Sequence, residues 1–114
     1  MTTTERFVLP ANTGRDIEPN QLLRQIGINL LAVSGGRWAH VGASSIRLPC
    51  GAGYEVLVTL EADDTYTVRR VFKRKGEWFL HGERTEVYCD DVSEVVYFAS
   101  CFRSYEPGEW EHKA

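Results

Sequence analysis

The chain has 114 residues, of which 43% are hydrophobic and 25% are charged, and its formal net charge is -3. This length suits one compact domain with its own core and is too short for two ordinary domains. The composition argues against general disorder, and the acidic balance argues against a wholly basic nucleic-acid surface. The apolar stretches fall far below the roughly 20 residues of a membrane span, so we expect no membrane partner.

The first predicted element is a helix over about residues 16–33, in which apolar residues recur at helical spacing. These residues are Leu22, Leu23, Ile26, Leu30 and Val33. Asp16 or Asn20 would cap its start, Pro19 is tolerable in its first turn, and the glycines after Ser34 would end it. Gly27 inside it costs roughly 1 kcal/mol relative to Ala, which fits either close packing against another backbone or simple tolerance.

The middle of the chain reads as strands joined by turns. Residues 37–48 predict one or two short strands before a turn at 49–53. The next segment, 54–60, alternates strictly, which places Tyr54, Val56, Val58 and Leu60 on one face. Aspartates at 63 and 64 then turn the chain into a second strand from about residue 65.

A third strand follows a predicted three-residue loop, 74–76, and this loop sets the pairing so that Phe72 faces Trp78. One face of the two strands then holds Tyr66, Val68, Phe72, Trp78 and Leu80, with Arg70 as an intruder, and forms the core. The other face holds Arg69, Val71, Lys73, Phe79, His81 and Glu83. A bulge near Arg69 and Arg70 would reverse part of this assignment.

The last predicted element is a helix from a capping box at 91–94 to about Phe102, with apolar residues on more than one side. We therefore predict an α+β fold, an antiparallel β-meander of three or more strands packed against an N-terminal and a C-terminal helix. Residues 16–102 form this domain. Residues 1–15 are expected to be a flexible arm or an extended edge, and 103–114 a polar tail in which Pro107 and Gly108 break any helix.

Three short segments together resemble a family of small bacteriophage and plasmid proteins of unknown function. They are residues 25–29 (QIGIN), 64–68 (DTYTV) and 86–90 (EVYCD), and the resemblance covers residues 20–102. The resemblance implies a mobile-element protein inside a bacterial host, a setting in which small domains bind host or viral macromolecules. It supplies no activity and no functional residues.

The residues that carry enzyme chemistry lack the spacing that such chemistry needs. Cys50, Cys89 and Cys101 form no CxxC pair, and the start of the chain lacks a secretory signal, so we expect reduced thiols in the cytoplasm. The ordinary behaviour of free cysteine as a small buried hydrophobe fits these residues better than a Cys–His nucleophile does. The three histidines have no cysteine at zinc-ligand spacing. We expect no enzyme, no catalytic residue, no metal and no cofactor.

Two binding surfaces compete on the third-strand hairpin. The outer face of the hairpin has an apolar centre with a polar rim, which is typical of protein interfaces. Together with the flank of the last helix, it is the predicted binding face for a host or phage protein, or for a second copy in a homodimer. This face comprises Arg69, Val71, Lys73, Phe79, His81 and Phe98. The alternative is nucleic-acid binding through clustered cations. That cluster comprises Arg69, Arg70, Lys73, Arg74 and Lys75.

Overall fold

The computed structural model describes residues 5–8 and 14–111 of the chain. Within them six strands form one antiparallel sheet in the order β1-β6-β5-β4-β3-β2, accompanied by four short helices. The strands are β1 (Glu5–Phe7), β2 (Ala39–Val41), β3 (Ser45–Gly51), β4 (Tyr54–Leu60), β5 (Tyr66–Arg74) and β6 (Glu77–Val87). The helices are α1 (Pro19–Ile26), α2 (Asn29–Ser34), α3 (Val92–Ser100) and α4 (Pro107–Trp110). The predicted α+β class and the antiparallel meander are confirmed.

The main core lies on one side of the sheet, which we call the inner face. Val56 and Val58 of β4 lie on this face, opposite Leu48 and Ile46 of β3. Buried residues of α1, α2 and α3 belong to the same cluster, including Leu22, Ile26, Val33, Val95 and Val96. The alternation predicted for β4 therefore sets the inward direction of its side chains, because successive residues of a strand point to opposite faces.

The predicted helix over 16–33 is two helices, because Gly27 ends α1. Gly27 has φ 65° and ψ -140°, which leaves the helical region, and its N–H donates to the Leu23 carbonyl. A positive φ of this kind favours glycine over residues with a side chain. Pro19 lies in the first turn as predicted, and Gly35 caps α2 in the left-handed conformation. The break at Gly27 separates α1 from α2 and leaves Ile28 at the N-cap of α2.

The predicted pairing of β5 with β6 was wrong by one residue. Lys75 and Gly76 form a two-residue turn, both with positive φ, and Phe72 pairs with Phe79 instead of Trp78. A two-residue turn of this conformation matches the twist of its flanking strands. Because a one-residue slip moves every side chain to the other face, Trp78 lies on the outer face and Phe79 on the inner face.

Two bulges then interrupt β6. Between the pairs Val71–Leu80 and Arg69–Glu83, β5 advances by two residues while β6 advances by three. The same shift recurs further along, next to Glu86, which has a positive φ. The first bulge returns Glu83 to the face of Arg69, where the sequence had placed it.

Both ends of the described chain pack on the sheet. β1 pairs with β6 at one edge, which is the extended-edge alternative for the N-terminal arm. The remainder of that predicted arm, residues 1–4 and 9–13, lies outside the described residues. Pro107 begins α4 instead of breaking it, because the first turn of a helix tolerates proline. Trp110 is buried, so the prediction of a polar tail missed an apolar anchor.

Candidate functional site

The predicted protein-binding face is divided between two sides of the sheet. Arg69, Val71 and Lys73 share the outer face, but Val71 is 1% exposed and is not available as an anchor. Phe79 lies on the inner face, with its ring 5.3 Å from that of Phe72. Residues on opposite faces of a sheet cannot contact one flat partner together. The prediction that Val71 and Phe79 share one face is therefore wrong.

The other two residues of that face also belong to the inner side. His81 lies among the rings of Tyr54 and Phe72, at 5.7 and 6.2 Å. Phe98 of α3 is partly buried against the core, and its ring lies 5.1 Å from that of Tyr105. The C-terminal segment therefore contributes to covering the second apolar side that the sequence predicted for the last helix.

The basic hairpin is also divided. Arg70 points to the inner face and is fully buried, while Arg69 points outward and donates from Nε to Glu83 at 2.6 Å. The remaining cations, Lys73, Arg74 and Lys75, are exposed around the turn. Arg74 pairs in register with Glu77, which itself contacts Arg6 at 3.1 Å. Arg69 and Arg70 are thus engaged within the protein, and Lys73 lies over the Trp78 ring at 5.6 Å, so the free cationic cluster is smaller than the sequence suggested.

An exposed apolar surface lies elsewhere, in the stretch from the end of α1 to the start of β2. We call it the 28–38 surface and define it by three side chains, Ile28, Leu31 and Trp38. They are 85%, 68% and 39% exposed. Single exposed apolar residues are common, but Ile28 and Leu31 lie three positions apart at the start of α2, where side chains of a helix are neighbours. With Trp38 further along the same stretch, they mark a candidate interaction site.

The backbone beneath the 28–38 surface is held by local hydrogen bonds. The Gly35 N–H donates to the Leu31 carbonyl with Gly35 in the left-handed conformation, which is the αL type of C-cap, and the Gly36 N–H donates to the Leu30 carbonyl. The buried Ser34 hydroxyl donates to the Arg37 carbonyl at 2.6 Å, and Arg37 Nε donates back to the Ser34 carbonyl. The apolar side chains of the 28–38 surface therefore lie on an ordered backbone, which lowers the conformational entropy lost on binding.

This surface also includes a sheet edge. Trp38 immediately precedes β2, and its ring lies 5.6 Å from that of His40 within the strand. β2 is the last strand in the sheet order, so one side of its backbone faces away from the sheet. Edge strands present unpaired backbone groups that another chain can use.

The sequence prediction missed this surface because it followed the apolar stripe of the predicted helix and not the opposite side. At about 3.6 residues per turn, Leu30 and Val33 share the stripe of Leu22 and Ile26, while Ile28 and Leu31 lie on the opposite side. These large apolar residues on the polar side of the helix were the available signal for the surface, and Gly27 was a separate signal for the helix end. A glycine in mid-pattern costs enough that a helix end was the stronger interpretation.

Arg70 is the centre of a buried polar network on the inner face. Its Nε donates to the Ala99 carbonyl at 2.6 Å and Nη2 donates to the Phe98 carbonyl at 3.3 Å. These carbonyls lie in the last turn of α3, where a helix has unpaired acceptors and the negative end of its dipole. The guanidinium also lies 5.4 Å from the Trp110 ring. The described residues supply no carboxylate within ion-pair distance of Arg70.

Among residues 5–8 and 14–111, no thiol or imidazole belongs to a group with the geometry of a metal site. Burial raises the pKa of the Cys50 thiol to about 12, so this group is protonated at neutral pH. A catalytic thiol needs the opposite shift. In the part of the chain that the structure describes, no three His, Cys, Asp or Glu side chains are grouped as a metal would require. Likewise, none of its helices is both long and apolar enough to cross a bilayer.

Comparisons of the chain with protein-family models, with curated proteins and with solved structures find no match. The relation to phage and plasmid proteins therefore stays a prediction.

Proposed function

We propose that this protein is a non-enzymatic binding module that contacts another protein through the 28–38 surface. The observation that supports the proposal is the exposure of Ile28 and Leu31 on a turn whose backbone is held by capping and side-chain hydrogen bonds. Burying two such side chains at an interface is favourable by about 1.5–3 kcal/mol each when they are fully covered. Their fixed backbone lowers the ordering cost that binding would otherwise carry.

The partner class follows the setting that the sequence resemblance implies. We propose a host or phage protein inside the bacterial cell, with homodimerisation through the same surface as a variant of this function. The edge of β2 next to Trp38 offers a strand to either partner. Ile28 and Leu31 replace Val71 and Phe79 as the proposed anchors, because Val71 is buried and Phe79 faces the core side of the sheet.

The test compares the intact chain with the double variant Ile28→Ser plus Leu31→Ser. Each is tagged and used for capture from nuclease-treated bacterial lysate, and each is examined by sedimentation for self-association. Tyr88→Ser serves as the matched control, because Tyr88 is also a large exposed apolar residue, at 59%, outside the 28–38 surface. We expect partner capture or dimerisation to disappear in the double variant and to persist in the control. Equal capture and equal oligomeric state in all three proteins would contradict the proposal.

Nucleic-acid binding remains the second candidate, favoured by the exposed cations Lys73, Arg74 and Lys75 at the hairpin turn. Binding through phosphate contacts weakens steeply with salt. Lys73→Ala together with Arg74→Ala would then lower affinity for single-stranded and double-stranded nucleic acid at low salt. Absence of any binding by the wild-type protein at low salt would exclude this candidate.

A further inference from the structure

The C-terminal segment, residues 103–111, is tied to the body of the protein at a few defined contacts. Trp110 is 1% exposed and lies over Gly82, where an added Cβ atom would come within 2.6 Å of the indole ring. Glu111 accepts a hydrogen bond from the Glu83 N–H at 2.9 Å. Both contacts are made at the first bulge of β6, directly after His81.

His81 contacts the guanidinium that holds this region together. Arg70 Nη1 lies 3.3 Å from His81 Nδ1, with the Trp110 ring against the same guanidinium. An arginine side chain only donates hydrogen bonds, so Nδ1 has to be the acceptor and the imidazole has to be neutral. Protonation of His81 would remove this acceptor and place a second cation beside Arg70, which stays charged in proteins.

We propose that Arg70 and His81 form an acid-sensitive latch, which fastens residues 103–111 to β6 and α3 and opens when His81 takes up a proton. In the closed form, Arg70 links three elements: the carbonyls at the end of α3, the imidazole in β6 and the indole of α4. In the open form, the imidazolium is repelled from Arg70 and the packing of Trp110 on Gly82 is lost.

The groups around His81 shift its pKa in both directions. Burial and the charge of Arg70 lower the pKa of His81, while Glu106 and Glu111 of the C-terminal segment raise it, and the lowering effects are larger. From the remaining neighbours, β4 contributes the Tyr54 ring and α3 contributes the carbonyls that already bond to Arg70. The two glutamates move away with the segment when it opens.

The sign of the pH dependence follows from this arrangement. The open form takes up a proton near the ordinary histidine pKa of about 6.5, and the closed form only at lower pH. The latch is therefore at full strength above about pH 6.5 and weakens as the pH falls below it. Each unit of difference between the two pKa values changes the closed-to-open ratio by up to about tenfold.

The first experiment measures hydrogen exchange of the full chain at about pH 7.5 and about pH 5.5, the range in which histidine titrates. Protection factors, corrected for the intrinsic pH dependence of exchange, are compared for residues 103–111 and for β4. We expect protection of 103–111 to fall by about threefold or more on acidification while that of β4 is kept. No change in 103–111, or an equal fall in β4, would overturn the latch.

Two variants separate His81 from the other titrating groups. His81→Gln keeps a hydrogen-bond acceptor for Arg70 but does not titrate, so we expect its C-terminal segment to lose the pH response. His40→Gln is the matched control, because His40 is exposed on β2 and far from the segment in the sheet order, and it should respond as the wild type does. An unchanged response in His81→Gln would overturn the proposal.

A measurement on the unaltered protein covers the case in which His81→Gln does not fold. NMR titration follows the ring signals of His81 and the indole N–H signal of Trp110 in the same sample. The latch requires both sets of signals to change with one midpoint below the ordinary histidine value. A Trp110 signal that stays constant while His81 titrates would overturn it.

Discussion

The 28–38 surface and the interior around Arg70 depart from the usual distribution of side chains in opposite directions. The first exposes Ile28 and Leu31 to water, and the second buries a guanidinium without a carboxylate partner among the described residues. The first rests on contacts within one short stretch, while the second joins β5, β6, α3 and α4. Exposed apolar residues add little to stability and are candidates for binding, whereas a buried polar network determines how distant segments are held.

The largest effect on stability is expected from Arg70→Ala. The change leaves the Ala99 carbonyl without its donor in the interior and removes a long buried side chain, at a cost of about 3 kcal/mol in the free energy of unfolding. Arg74→Ala is the matched control on the same strand, since Arg74 is exposed at the hairpin and its loss should change the free energy of unfolding by about 0.5 kcal/mol or less. Urea denaturation measures both. Equal costs would mean that the buried network has no special role.

An intermediate loss of stability is expected from Gly82→Ala. The new methyl group would meet the Trp110 ring, and the φ of +116° at this position strains any residue with a side chain. We expect a loss of about 2 kcal/mol and increased exposure of Trp110 in fluorescence quenching. Gly108→Ala, where an added Cβ meets nothing within 4 Å, should change stability by no more than about 0.5 kcal/mol. Similar behaviour of the two variants would show that Gly82 is not where Trp110 is seated.

The smallest effect on stability is expected at the 28–38 surface. Leu31 is 68% exposed, so Leu31→Ser should change the free energy of unfolding by about 0.5 kcal/mol. Leu22→Ser is the matched contrast, because Leu22 is fully buried and its loss should cost about 3 kcal/mol or more. Thermal or urea unfolding of both variants tests this difference. A large cost for Leu31→Ser would mean that this side chain has a structural role within the protein, which would weaken its assignment to binding.

The fold was predictable where a local pattern had one interpretation. The alternation of 54–60 correctly gave the inward side chains of β4, and Ser34 followed by glycines correctly gave the end of α2. The candidate surface was not predicted, although Ile28 and Leu31 lie opposite the apolar stripe of the predicted helix. Single apolar residues on a polar side are ordinary in a sequence, and only the tertiary structure shows that these two are 85% and 68% exposed.

The hairpin shows why the predicted site was displaced. Residues 74–76 allow a three-residue or a two-residue turn. The two-residue turn shifts the pairing by one residue and so exchanges the faces of Trp78 and Phe79 relative to the prediction. The first bulge of β6 then restores part of the predicted face assignment, because it places Glu83 beside Arg69 on the outer face.

The sequence by itself determined the α+β class, the antiparallel meander and most of the core, because these depend on periodicity and turn residues that act over a few positions. Only the tertiary structure decided the burial of Arg70, the seating of Trp110 on Gly82 and the contact of His81 with the guanidinium. These features join residues far apart in the chain, and the free energy of each depends on neighbours that a local pattern does not specify.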